Sequence, residues 1–386
     1  MSWAIRNLWF LIAFLANFLT MLLMYWESFA TKSISLVWSI DSALTATIIL
    51  APVCAGLAAI RSWTLRTRSE IIESFPNSGR IRAYLQEPIK ISFGAIFATL
   101  LITMIISLIG VANGLELSRV ALAPVPLTLL HLVGTIFFGA GLGYLLPHPL
   151  TGPVFAVCYM AMSSLQIGSI SALNSYIGAS IEWVGQMEYS SSGLIFLLCT
   201  FIFLAISGLI TLCGYAFDKK FVTIIGVIIA LLSFGSLPFQ NQIQMWKDRP
   251  NAFNYCADIS TTGVKICVPK EQHKRLKPGV SKIQPIVEKL AKLDSEISGT
   301  VIKIPYLLSL KDIKGPEPLD PETSIFNLLG HFTCLESLPE EKLFAISDDK
   351  IQEISAARET VAHWINNDAT EQEASKAFQA MNNLCG

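Results

Sequence analysis

Two ionisable side chains stand inside stretches that are otherwise apolar enough to cross a bilayer. Asp41 lies in SIDSALTATIILAPVCAGLAAI, and His131 lies in ALAPVPLTLLHLVGTIFFGAGLGYLL. A titratable group is costly in hydrocarbon, so such residues tend to face a bundle interior or a wet cavity and to mark a pathway. Asp41 also fits, and more simply, as an acid at a helix N-terminus in the headgroup layer. Ser163, Ser164 and Gln166 add hydroxyl and amide groups on a shorter apolar stretch. They can line the same cavity, or satisfy one another and the backbone. Covalent chemistry finds less support. The sequence has no H-E-x-x-H zinc motif and no G-x-S-x-G nucleophile elbow, and His273, His331 and His363 are scattered. No G-x-x-x-x-G-K-[ST] phosphate loop is present either. The chain is therefore expected not to be an enzyme and to carry no cofactor or metal. If ATP drives it, ATP and magnesium belong on a partner chain.

The elements that position these residues follow from composition. Of 386 residues, 52% are hydrophobic and 15% charged, with a mean hydropathy of +0.53. That balance describes a polytopic α-helical membrane protein. Residues 1–246 hold 11 Lys/Arg and 9 Asp/Glu, leaving 17 and 20 for residues 247–386. The chain thus divides into a transmembrane domain, 1–246, and a C-terminal soluble domain, 247–386. Seven transmembrane helices are expected, near Leu8–Trp26, Trp38–Ile60, Ile91–Val111, Val120–Leu146, Pro153–Ile170, Gly193–Tyr215 and Phe221–Phe239. With the N-terminus cytoplasmic, the inner segments hold nine Lys/Arg and the outer loops only Lys32 and Arg119, as the positive-inside rule asks. The expected location is the plasma membrane, with the C-terminal domain extracytoplasmic. A six-span rival, with residues 150–170 re-entrant, would put that domain in the cytoplasm. Residues 171–191 lack Lys and Arg and fit either a surface helix or an exterior loop.

Spans two and three are joined by a basic elbow, residues 61–90, with Arg61, Arg66, Arg68, Arg80, Arg82 and Lys90 against Glu70, Glu73 and Glu87. Leu65, Ile71, Ile72 and Phe75 allow a short amphipathic helix there, ended by Pro76, Asn77, Ser78 and Gly79. Such an elbow suits docking of a soluble partner, or it serves only as a topology signal. Ala51-Pro52-Val53-Cys54-Ala55-Gly56-Leu57-Ala58-Ala59, followed by the arginine-rich elbow and Glu73-Ser74-Phe75-Pro76, resembles the membrane subunits of actinobacterial ABC-2-type transporters of the peptide- or lantibiotic-export kind. The resemblance implies a permease that works with a separate ATP-binding subunit and a second membrane subunit, as homodimer or heterodimer, and it supplies the peptide or amphipathic class of substrate. The ATPase-coupling residues would be Leu65, Arg66, Arg68, Glu70, Ile71, Glu73 and Phe75. Two other classes stay open: a membrane-anchored sensor or immunity protein that binds a ligand with its outer domain, and a membrane enzyme with an outer catalytic domain. Nothing in the chain points to nucleic acid.

The C-terminal domain, about 140 residues, is long enough for its own core and reads as α/β or mostly α. Strands are expected at Val264–Val268 and Val301–Ile304, and helices around residues 281–293, 324–335, 348–365 and 371–384, with Thr370 and Glu373 as a capping box. Cys256, Cys267, Cys334 and Cys385 all fall in this domain. Their spacing across the Thr262-Gly263 turn favours Cys256–Cys267, and then Cys334–Cys385, over crossed pairings, a metal site or free thiols. The bridges would place the domain in an oxidising compartment.

Overall fold

In the computed structural model the described residues are 7–29, 36–67, 77–164, 187–217, 220–235, 246–249, 252–293, 300–303, 348–365 and 370–383. They form two units, one built mainly from the first 250 residues and one from residue 251 onward.

The first unit is a bundle of apolar helices: α1 (Leu8–Phe29), α2 (Leu36–Thr45), α3 (Thr47–Arg66), α4 (Asn77–Ala112), the short α5 (Arg119–Leu122), α6 (Pro124–Leu145), α7 (Thr151–Ser164), α8 (Ser191–Ala216) and α9 (Lys220–Gly235). Five stretches within it are long and apolar enough to cross a membrane: Leu8–Trp26, Ser39–Arg66, Gly79–Ala112, Arg119–Leu145 and Ser191–Ala216. By that character the chain is membrane-embedded. Residue sorting in α4 shows why. Phe93, Phe97, Leu100, Met104, Leu108 and Val111 recur every three or four residues and are exposed, while Ser92, Thr99 and Thr103 are buried on the other face. Lipid is as apolar as leucine, so large side chains face outward and small or hydroxylated ones pack helix to helix.

Two differences from the sequence expectation concern the elbow. Helix α3 runs on through Arg66, and α4 begins at Asn77, well before the expected third span. Arg61, Arg66, Glu87 and Lys90 are thus helical residues at the roots of the elbow. Glu87 lies between Arg61 and Lys90, and the helix runs through Pro88. Asn77, Ser78 and Gly79 of the expected turn are the first residues of α4, and Pro76 lies outside the described residues.

A two-stranded antiparallel ribbon pairs β1 (Met187–Tyr189) with β2 (Trp246–Asp248), Glu188 opposite Lys247. It follows that the chain before α8 and the chain after α9 meet at one end of that helix pair. At the other end α9 starts beside the end of α8, where Gly214 leaves no room for a side chain against Thr223.

The second unit holds β3 (Tyr255–Ile259), β4 (Val264–Val268), α10 (His273–Leu293), β5 (Val301–Lys303), α11 (Asp348–Ile365) and α12 (Glu371–Asn383). Strands β3 and β4 form an antiparallel hairpin whose turn closes on Gly263 at φ 69°, a left-handed conformation that suits glycine. Strand β5 lies parallel to β4, with α10 as the crossover. The core joins Ile259, Val264, Ile266, Val268, Leu276, Val287 and Leu290 to Val361, Ile365 and Phe378 of α11 and α12. The strand at 264–268, the helix at 348–365 and the capping box are as expected: Thr370 N–H and Oγ1–H both donate to Glu373 Oε2, at 3.0 and 2.7 Å. Helix α10 starts eight residues before the expected Ser281, and Pro278 and Pro285 lie inside it. The segment Asn113–Glu116, which directly follows α4, also belongs to this unit. Arg275 Nη2 and Nε donate to the Asn113 carbonyl at 2.8 and 3.1 Å, and Glu116 N–H donates to the Glu271 carbonyl at 3.0 Å.

Candidate functional site

At the elbow end of the bundle the termini of five helices converge on a cluster of charges and rings. Glu87, near the start of α4, accepts from Lys90 Nζ at 3.0 Å and faces Arg61 Nε of α3 at 3.5 Å. The Arg61 guanidinium stacks over Trp9 of α1 at 5.7 Å. One turn further on, Arg66 donates to the backbone carbonyl of Tyr144 at the end of α6 and lies 5.4 Å from the ring of Tyr215 at the end of α8. A guanidinium at two helix C-termini meets the negative ends of both dipoles. Tyr144 is buried, edge-on to Tyr84 of α4 at 4.8 Å and 5.6 Å from Tyr215. The two roots of the elbow are therefore tied to each other and to α1, α6 and α8.

Deeper in the bundle, α6 supplies a polar stripe at helical spacing. Thr128, His131 and Thr135 are all buried. His131 Nε2 and Tyr159 Oη of α7 are 2.6 Å apart, and the imidazole stacks on Phe201 of α8 at 4.9 Å. Small residues make this approach possible. A Cβ at Gly139 or Gly143 would run into the Ala55 or Ala59 carbonyl of α3, and one at Gly56 would meet the Gly152 carbonyl of α7 at 3.0 Å. Thus the Gly139/Gly143 spacing, which the sequence alone cannot separate from chance, is a contact face. A hydrogen-bonded histidine–tyrosine pair among three helices can bind or relay a polar group.

The structure sorts the expected site residues as follows. Leu65 packs into the core beside Tyr84 and Tyr144, and Arg66 turns into the bundle; Arg68, Glu70, Ile71, Glu73 and Phe75 lie outside the described residues. Asp41 is buried on α2, and His131 is buried on α6. Ser163 and Ser164 end α7, and Gln166 lies outside the described residues. Sequence reasoning missed Tyr159, Tyr144 and Asn17. Asn17 is fully buried on α1 and donates to the Ala13 carbonyl at 2.7 Å and to Cys54 Sγ at 3.2 Å. A lone amide in the middle of the LANFLTML run was the available signal.

In the second unit Cys256 and Cys267 sit directly opposite on β3 and β4 and are joined as a disulfide. Cys334 and Cys385 lie outside the described residues. Among the described residues no group of three or more His, Cys, Asp or Glu is placed to hold a metal ion. No family model, curated protein or solved structure matches the chain.

Proposed function

We propose that the chain is the permease subunit of an ABC-2-like exporter that moves a peptide or amphipathic solute, driven by a separate ATP-binding subunit docked at the elbow. The observation that carries this reading is the anchoring of both elbow roots. Arg61, Glu87 and Lys90 tie α3 to α4, and Arg66 ties α3 to the ends of α6 and α8. In this reading a displacement of the elbow roots reaches α6 and α8, the helices that carry His131 and Phe201. His131, Tyr159 and Phe201 belong to the solute pathway, a second membrane subunit completes it, and ATP with magnesium is held by the partner.

The reading takes seven crossings, five of them the long apolar stretches. Helix α4 is 36 residues long, about 54 Å at 1.5 Å per residue, so the elbow and residue 113 lie at opposite membrane faces. Residues 113–116 share a unit with the disulfide. The β1–β2 ribbon brings residues 187–189 and 246–248 to one face, which makes α8 and α9 an out-and-back pair. In this reading α7 belongs to one further crossing between α6 and α8. In this reading the basic excess of the elbow makes that end cytoplasmic, and the disulfide asks for an oxidising compartment.

A photo-crosslinking residue in place of Phe75 tests the docking. The reading expects capture of an ATP-binding protein in native membranes, and no such capture from the same residue in place of Leu117. Equal capture at both positions, or at neither, overturns it.

A further inference from the structure

The start of α10 carries a charge pattern that its own helix does not explain. Residues 270–277 read KEQHKRLK. Arg275 and Glu271 are buried, and Arg275 is committed to the Asn113 carbonyl. Lys270, Lys274 and Lys277 are exposed, four and then three residues apart, on one stripe. Cations in the first turns of a helix face the positive end of its dipole, so the lysines weaken the helix that bears them. Among the described residues, the acid that answers them is Glu116, 3.8 Å from Lys274 and 4.0 Å from His273. With Arg275, the group counts four basic side chains against Glu271 and Glu116. A local rule broken in this way points to a partner outside the unit.

The chain itself says what that partner is. Arg275 grips the carbonyl of Asn113, the first residue after α4, a membrane-crossing helix. Glu116, beside Lys274, is four residues from the helix end, at most about 14 Å of extended chain. The residues that the stripe contacts are thus joined to a membrane-crossing helix by a tether short enough to reach headgroup phosphates. We propose that Lys270, Lys274 and Lys277 dock on anionic phospholipid headgroups of the bilayer that the chain crosses. The headgroup phosphates supply negative charge to the lysines and to the helix terminus. This site does not depend on the transport reading; it needs only the membrane helices and the loop at 113–116.

The test uses the full-length protein in nanodiscs of phosphatidylcholine alone or with about one-third phosphatidylglycerol. Acetylation rates of single lysines are read by mass spectrometry, with exposed Lys292 at the far end of α10 as internal reference. Headgroup docking predicts that the three lysines react about fivefold more slowly, relative to Lys292, in the anionic discs. About 0.5 M salt should abolish the difference. A K270Q/K274Q/K277Q variant, with the hairpin disulfide intact, should retain less phosphatidylglycerol on delipidation. Equal relative rates in the two disc types overturn the proposal. So does protection that appears only when an acidic soluble protein is added.

Discussion

Glu87 is where the bundle should be most sensitive to a single charge. The carboxylate side chain is 10% exposed, and its partners Arg61 and Lys90 are 30% and 18% exposed. Breaking a fully buried ion pair costs about 3–5 kcal/mol, whereas an exposed pair contributes about 0–1 kcal/mol. The cations here retain some access to water, so Glu87→Gln should cost roughly 2 kcal/mol, between those limits. Arg61→Gln should cost less, about 1 kcal/mol, because Lys90 still neutralises the carboxylate. The double variant should then be milder than the sum by about 1 kcal/mol, since neither charge is left unanswered. Equilibrium unfolding of the full-length protein in mixed micelles, titrated with an ionic detergent, measures all three. A cost for Glu87→Gln under about 0.5 kcal/mol, or strict additivity, would refute the view that this cluster ties the elbow roots together.

Tyr159→Phe removes the hydrogen bond to His131 but keeps the ring, and should destabilise the bundle by about 0.6–1.7 kcal/mol in the same titration. A loss of transport larger than that stability change would mark the pair as part of the pathway. Replacing Cys256 and Cys267 by serine opens a loop with a sequence separation of 11, which corresponds to about 3 kcal/mol in the chain-entropy account. Thermal unfolding monitored at the second unit checks it, and an unchanged transition would show that the bridge adds nothing. In the same unit, hydrogen bonds from Thr261 and Gln284 hold the Glu288 carboxyl below its ordinary value of 4.5, and Thr370 does the same for Glu373. A carboxyl lowered on folding contributes stability that is fully present above its unfolded value and is lost as pH falls through the folded one. Amide protection around residues 261–263 and 370–373 should therefore hold from pH 7 down to about 4.5 and decline below it. Decline that begins near pH 6 would contradict the assignment.

Much of the helical plan was legible because lipid imposes long apolar runs, and five of them appear where the runs are strongest. The hairpin at 255–268 and the box at Thr370 were legible because a turn glycine, paired cysteines and a capping residue act locally. The roles of Arg66 and Leu65 were not. A basic residue after an apolar run reads as a solvated topology signal, and only the approach of α6 and α8 turns it inward. Tyr159 was hidden for the opposite reason, because a tyrosine in an apolar run has no sequence mark that separates it from packing. In the fold α7 packs on α3 at Gly56 and Gly152, and Tyr159 meets His131 of α6. The early start of α10 was missed because Pro278 and Pro285 read as helix boundaries, although both lie within the helix.

The most direct test of the permease reading is purification of the tagged full-length chain from its native membranes in mild detergent, followed by identification of what accompanies it. The reading predicts an ATP-binding subunit in stoichiometric amount, released by Arg68→Glu with Phe75→Ala while the bundle keeps its stability. Recovery of the chain alone from membranes that contain such a subunit, or a complex indifferent to the elbow variant, would contradict it.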